Sequence, residues 1–244
     1  MSDALEVKEL VVSYGGAPVI EGLSVTLFPG MFAGLLGPNG AGKSTMLLAI
    51  SGQFRPASGS ICYAGKNIYR ENLWFKRRIG YVHETPFLYP DLTVEDFIRF
   101  VAGVKKIPTE KLDSEVAELL EKLLLHPERR KLTSNISLGM RKKVAIAAAL
   151  LGHPEIVFLD EALNGVDFES TFHIKALLKE FVAEGGIVIL STHVLEVVER
   201  LCDRNLVLKD GQLIADLSAN DLEKLKSEEA SLEGYLVGLL NSLS

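Results

Sequence analysis

Three runs of this chain are apolar without alternation: Met31 to Leu36, "IVFL" ahead of Asp160, and "IVIL" ahead of Ser191. A strand that buries one face alternates apolar with polar residues. Unbroken runs predict strands covered on both faces, as in a parallel sheet between helices. The stretch "TFHIKALLKEFVAE" between the last two runs reads as the connecting helix. Two shorter strand-like runs open the chain, "LEVKELVVSY" and "GLSVTLF", parted by the turn-rich "GGAP". "RPASGSICYAG" reads as a further antiparallel piece and "RRIGYVHE" as a strand. From Thr93 to about Leu151 the pattern is mostly helical, with apolar residues at three-four spacing in "LDSEVAELLEKLLL". "TVED" fits a capping box in which Thr93 accepts from the third helical amide and Asp96 reaches back. "RNLVLKDGQLIADL" reads as a hairpin turning at Lys-Asp-Gly, and a leucine-rich helical tail closes the chain. The expected class is α/β. One domain spans residues 1–217 with a helical insertion over about 86–150, and a helical tail covers 218–244.

Composition narrows this little. Hydrophobic residues make up 48 % and charged residues 24 % of 244, ordinary for a globular chain with a sizeable core. The net charge of −6 gives no basic field for nucleic acid. Cys62 and Cys202 form no C-x-x-C and read as small apolar fillers in a reducing compartment. No signal-peptide pattern opens the sequence, and no apolar run approaches the roughly 20 residues of a membrane span. The expectation is a cytosolic chain.

The chemistry concentrates after the Met31–Leu36 run, in "GPNGAGKST", residues 37–45. Glycine is a liability inside a strand or helix, so three of them here mark a place that needs bare backbone. Gly37, Gly42, Lys43 and Ser44 satisfy G-x-x-x-x-G-K-[ST] between a strand and a helix expected to start at Ser44. The backbone of Gly37, Pro38, Asn39, Gly40, Ala41 and Gly42 would curl so that its N–H groups, which every one of these residues but Pro38 has, point at phosphate oxygens. The helix start at Ser44 and Thr45 adds its positive dipole end. Lys43 supplies a point charge to the outer phosphates and Ser44 a hydroxyl to Mg²⁺. Phosphoryl transfer also needs a carboxylate for the metal and a group to activate the nucleophile. Asp160 and Glu161 end an apolar strand, where parallel sheets place their ligands. Asp160 is therefore the expected Mg²⁺ holder and Glu161 the general base on the attacking water.

Four further stretches, "IGYVHE", "NISLGMRKK", "EALNGVD" and "STHVLEVVE", fall in the order and spacing of an ABC-type ATPase domain, and the whole chain resembles that family. The resemblance implies a P-loop NTPase core with a mixed or parallel sheet, an N-terminal antiparallel β subdomain and an inserted α-helical subdomain. It also implies ATP and Mg²⁺ as ligands. Tyr14 then stands where an aromatic stacks on adenine, and Ser137 and Gly139 where a signature helix is offered to the γ-phosphate of a second subunit. Asp167 closes a loop that communicates across that dimer, and His193 is the switch histidine against the γ-phosphate and water. The chain departs from the family pattern in three places. Glu84 replaces a glutamine that ligates Mg²⁺, Leu138 replaces the first signature glycine, and Ala162 stands where proline is common. A carboxylate still binds a hard cation, but it adds negative charge beside the phosphates.

By this resemblance the chain is the ATP-binding and hydrolysing subunit of an ABC transporter, paired head to tail with a second copy or a related subunit. It drives a separate multispanning membrane subunit from the cytoplasmic face, and the signature variant leans toward export. Phe87, Leu88 and Tyr89 are expected exposed in the loop that receives that partner. The alternatives are a soluble or catalytically weak ABC ATPase acting as a regulatory nucleotide-binding module, a DNA-repair or translation ATPase, and a small-molecule kinase. The last two fit less well. The chain has neither long coiled-coil insertions nor a second cassette, and a kinase would lack the signature and His193.

Overall fold

The computed structural model describes residues 3–227 and 232–242. The strands form two sheets. The first is antiparallel and built from β1 (Leu5–Ser13), β2 (Pro18–Leu27), β4 (Ser58–Tyr63) and the short β5 (Lys66–Asn67), in the order β2-β1-β4-β5. The second contains β3 (Phe32–Leu36), β6 (Ile79–Val82), β7 (Ile156–Asp160), β8 (Ile187–Ser191), β9 (Arg204–Lys209) and β10 (Gln212–Ser218). Its order is β10-β9-β3-β8-β7-β6, parallel throughout except for β10, which pairs antiparallel with β9 at the edge. The mixed sheet and the antiparallel subdomain are as expected.

The three unbroken apolar runs are β3, β7 and β8, each buried along its whole length. Their residues divide between two cores. Ile156, Phe158, Ile187 and Ile189 face the antiparallel sheet and α1 (Lys43–Ile50), whereas Val157, Leu159, Val188 and Leu190 face the helical side. A strand that serves two cores has no face left for polar residues.

The short α2 (Asn72–Lys76) precedes β6, and the insertion consists of α3 (Val94–Lys105), α4 (Thr109–Lys122) and α5 (Leu138–Leu150), with α5 packed on β6. Thr93 caps α3, its hydroxyl oxygen accepting from the Asp96 amide at 3.1 Å. Asp96, however, accepts a hydrogen bond from the Thr93 hydroxyl at 2.6 Å instead of from the Thr93 amide. A second difference lies in the loop before it. Phe87 and Tyr89 are exposed as expected, but Leu88 is buried in the core of the insertion with Val94 and Ile98. Cys202 is a buried filler whose thiol burial pushes up to about 12, while Cys62 is only half-buried, on β4.

The connecting helix α6 (Phe168–Ala183) joins β7 to β8, and α7 (Leu195–Leu201) follows β8. The hairpin β9–β10 turns through Asp210 and Gly211, both at positive φ. The tail forms α8 (Ala219–Ser227) and α9 (Leu232–Ser242). Leu222, Leu232 and Leu236 are buried in the same core as Val197 and Leu201, so the tail packs on its own domain. Among the described residues no helix is long and apolar enough to cross a membrane.

Candidate functional site

The loop between β3 and α1 lies at the carboxyl edge of the parallel sheet. Gly37, Gly40 and Gly42 all have positive φ, at 148°, 83° and 98°. At Gly37 a Cβ would sit 2.2 Å from the Leu208 carbonyl oxygen, and at Gly42 it would sit 2.7 Å from the Ile20 side chain. Glycine is required at both by conformation and by space. α1 begins at Lys43, one residue ahead of expectation, and Gly42 at its N-cap offers no side-chain cap. Its first amides are therefore left for an anion. Lys43 is nearly buried and folds over the loop, its ammonium donating to the carbonyls of Gly37 and Pro38 at 2.8 and 3.0 Å.

Parallel pairing of β7 with β8 sets Asp160 beside Ser191. Oδ1 of Asp160 accepts from the hydroxyls of Ser44, at 3.0 Å, and Ser191, at 2.6 Å. This oxygen joins the glycine loop to the sheet. The next residue, Glu161, adopts φ 46°, a region non-glycine residues enter at a cost of roughly 1–3 kcal/mol and hold only where surroundings over-determine them. They do so here. Its amide donates to the hydroxyl and carbonyl oxygens of Ser191 at 3.0 and 3.2 Å, and its own carbonyl accepts from Lys142 at 2.9 Å. Asn164 Nδ2 donates to its carboxylate at 2.6 Å, and His193 Nδ1 lies 3.3 Å from the carboxylate's Oε1. The carboxylate is thereby aimed across the mouth of the loop.

A cleft of about 430 Å³ is lined by Asn39, Gly40, Gly42, Lys43, Ser44 and Thr45 on one wall. Glu84, Glu161, Asn164 and His193 line the other. Asp160 joins this group through Ser44. Among the described residues no cluster of three or more His, Cys, Asp or Glu makes a metal cage. The donors present, the Ser44 hydroxyl with the Asp160 and Glu84 carboxylates, suit a hard cation that takes one or two protein oxygens and completes its shell with phosphate and water. The residues fit Mg²⁺ on that chemistry.

Other candidates lie outside this cleft. Tyr14 is exposed beside it, its hydroxyl donating to Thr45 Oγ1 at 3.3 Å and its ring 4.6 Å from that of Phe54. Ser137 caps α5, accepting from the Met140 amide at 3.2 Å. Gly139 lies against the loop after Glu161, where a Cβ would stand 3.0 Å from the Gly165 carbonyl oxygen. Asp167 caps α6 by accepting from the Ser170 amide at 2.8 Å, and that bond holds its carboxyl below the usual range. Within one chain Ser137, Gly139 and Asp167 do not reach the cleft. Sequence reasoning assigned no role to Asn164, Ser191 or Lys142. All three stand near assigned residues, Asn164 in "EALNGVD", Ser191 in "STH" and Lys142 in "NISLGMRKK". Their roles depend on which loops meet, which the pattern does not encode.

Glycine loop, strand-end carboxylates and a parallel sheet flanked by helices define a nucleotide-binding P-loop protein. Residues 20–164 match the ABC transporter family, and the chain belongs to that family as an ABC ATPase nucleotide-binding domain. It is 35 % identical to the Nod factor export ATP-binding protein I of Rhizobium meliloti (strain 1021), over 87 % of this chain and 64 % of that protein. It is 31 % identical to the ABC-type transporter ATP-binding protein EcsA of Bacillus subtilis (strain 168), over 96 % of both. A solved ATP-binding subunit of an ABC transporter superposes with a TM-score of 0.90 at 31 % identity, covering 97 % of this chain and 99 % of that one. The chain spans 61 % and 64 % of the length of two of the curated relatives it matches.

Proposed function

We propose that this chain hydrolyses ATP as the motor subunit of a transporter, closing head to tail with a second ATPase subunit and driving a separate membrane-embedded partner. The observation that carries the reading is the meeting, in one cleft, of the Gly37–Thr45 loop with Glu161 and His193 at the sheet edge. The open amides at the start of α1 and the Lys43 ammonium would take the phosphates, with Lys43 leaving the Gly37 and Pro38 carbonyls to do so. Tyr14 would cover the adenine. Ser44, Asp160 and Glu84 would hold Mg²⁺, which supplies charge neutralisation on the phosphate oxygens. Glu161 accepts a proton from water as the water oxygen attacks the γ-phosphorus. The bond from that phosphorus to the β–γ bridging oxygen breaks, giving ADP and phosphate. His193, hydrogen-bonded to Glu161, orients that carboxylate and faces the γ-phosphate.

Ser137 and Gly139 sit at a capped helix start on the surface, as a group offered to a partner's nucleotide would. In this reading ATP favours the closed pair, and Asp167 and its loop lie at the seam. Moving a clamp from mostly open to mostly closed takes about 5.5 kcal/mol. A few charge-assisted hydrogen bonds at roughly 1.5–3 kcal/mol each supply that. Export is the favoured direction, supported by the signature variant Ser137-Leu138-Gly139-Met140 and by the likeness to a Nod factor exporter. The chain would lie on the cytoplasmic face, held by its membrane partner through the Phe87–Tyr89 loop, with no part in nucleic-acid binding.

The test is Glu161→Gln, which keeps the shape and removes the base. Incubated with saturating Mg-ATP, it should run as a stable dimer in size exclusion while the wild type turns over. A variant that stays monomeric beside an active wild type overturns the clamp. Glu84 supports a second reading, a regulatory nucleotide-binding module that hydrolyses ATP weakly, because its carboxylate adds charge beside the phosphates. Steady-state ATPase of the wild type with its partner separates the two.

A further inference from the structure

Lys142 is 2 % exposed, on the second turn of α5, a helix whose N-terminus carries Ser137 and Gly139. A buried ammonium is costly unless its protons are matched. Its Nζ donates to the Glu161 carbonyl at 2.9 Å and the Asn164 carbonyl at 2.7 Å. Burial lowers its pKa, and the charges of Glu84 and then Glu161 oppose that by favouring the ammonium. Gly139, three residues earlier and so on the same helix face, packs on the Gly165 carbonyl. α5 thus grips the 161–165 loop at two points one turn apart. The loop contains a residue in strained backbone, Glu161, at φ 46°.

We propose that Lys142 is a positioning residue that couples the two nucleotide sites of the pair. By holding the main-chain carbonyls of Glu161 and Asn164, it makes the aim of the Glu161 carboxylate depend on where α5 sits. α5 is also the helix whose start serves the opposing nucleotide. Seating a γ-phosphate on Ser137 of one subunit thereby sets the base of the same subunit against its own ATP. The carbonyls it holds are main-chain, so the tie survives any change of loop side chain, and two donors are needed to fix both ends of the strained turn. The inference rests on the ATPase reading above.

Lys142→Met keeps length and apolar volume but removes the donors. We expect kcat for ATP to fall about 10–100-fold, with KM and ATP affinity within twofold of wild type. Amide hydrogen exchange across residues 161–166 should accelerate. Lys142→Gln, which restores a neutral NH2 donor group on a shorter side chain, should recover part of the rate. An unchanged kcat in Lys142→Met overturns the proposal. So does a kcat loss matched by a proportional loss of ATP affinity, which would mark a collapsed fold instead of a mispositioned base. If the wild type itself hydrolyses no ATP, the enzymic reading falls separately. Hydrogen exchange then decides the tie alone: faster exchange at 161–166 in Lys142→Met supports it, and unchanged exchange removes it.

Discussion

Nδ1 of His193 lies 3.2 Å from one carboxylate oxygen of Glu161 and 3.3 Å from the other. A carboxylate without a proton can only accept, so a hydrogen bond in this pair has Nδ1 as its donor. His193 is exposed and Glu161 nearly buried. The pair therefore spans the boundary between the sheet edge and the space where a γ-phosphate would sit. Replacing His193 with Ala removes this second hold on the base and leaves the glycine loop intact. ATP turnover should drop by roughly 100-fold or more, in the range of a lost acid–base element, with nucleotide affinity within a few-fold. Paired turnover and equilibrium-binding titrations check it, and an equal loss in both would place His193 in binding alone.

The glycine loop makes a sharper contrast. Gly37 and Gly40 both have positive φ, yet a Cβ at Gly37 meets the Leu208 carbonyl oxygen at 2.2 Å and one at Gly40 meets nothing within 4 Å. Gly37→Ala must move the β9 backbone and should lose on the order of 3–5 kcal/mol, overpacking added to backbone strain. Gly40→Ala carries only the strain, about 1–2 kcal/mol. Urea unfolding of the two variants reads the difference directly.

Much of this could be read from the chain because its signals are local. Unbroken apolar runs mark β3, β7 and β8, and motif spacing marks the glycine turn ahead of α1 and the carboxylate pair at the end of β7. The misses share one cause. Ser191 reaches Asp160 only because β7 and β8 are neighbours in parallel register, a fact of strand order. Nothing in the helical pattern sets Lys142 apart, and only the packing of α5 against the loop after Glu161 buries it. Leu88, between two exposed aromatics, turns inward because α3 and the rest of the insertion need it to close their core, and loop composition carries no such information.

Asp167 gives a pH prediction whose sign is fixed. The Ser170 amide holds its folded-state pKa below the ordinary 3.8, so the carboxylate stabilises the fold at neutral pH. That contribution is complete above about pH 5, and it is lost as pH falls through 3.8 toward the depressed folded value. Asp167→Ala deletes the α6 N-cap and should cost about 0.5–2 kcal/mol at pH 7. The gap between variant and wild type should narrow below about pH 4. Denaturation series at pH 7, 5 and 3.5 measure it; a gap that widens on acidification would show that Asp167 acts otherwise.

Phe87 is 77 % exposed and sits 5.7 Å from the ring of Tyr89, itself edge-on to Phe100 at 5.1 Å. An aromatic so exposed contributes little to its own fold, and Phe87→Ser should change stability by no more than about 0.5 kcal/mol. Aromatic residues at the centre of an interface commonly carry 2 kcal/mol or more of binding energy. If this loop seats the membrane partner, the same change should weaken association by about 30-fold. The measurement is retention of the ATPase chain on vesicles reconstituted with a candidate multispanning partner, across a concentration series. Equal retention of Phe87→Ser and wild type would move the docking site elsewhere.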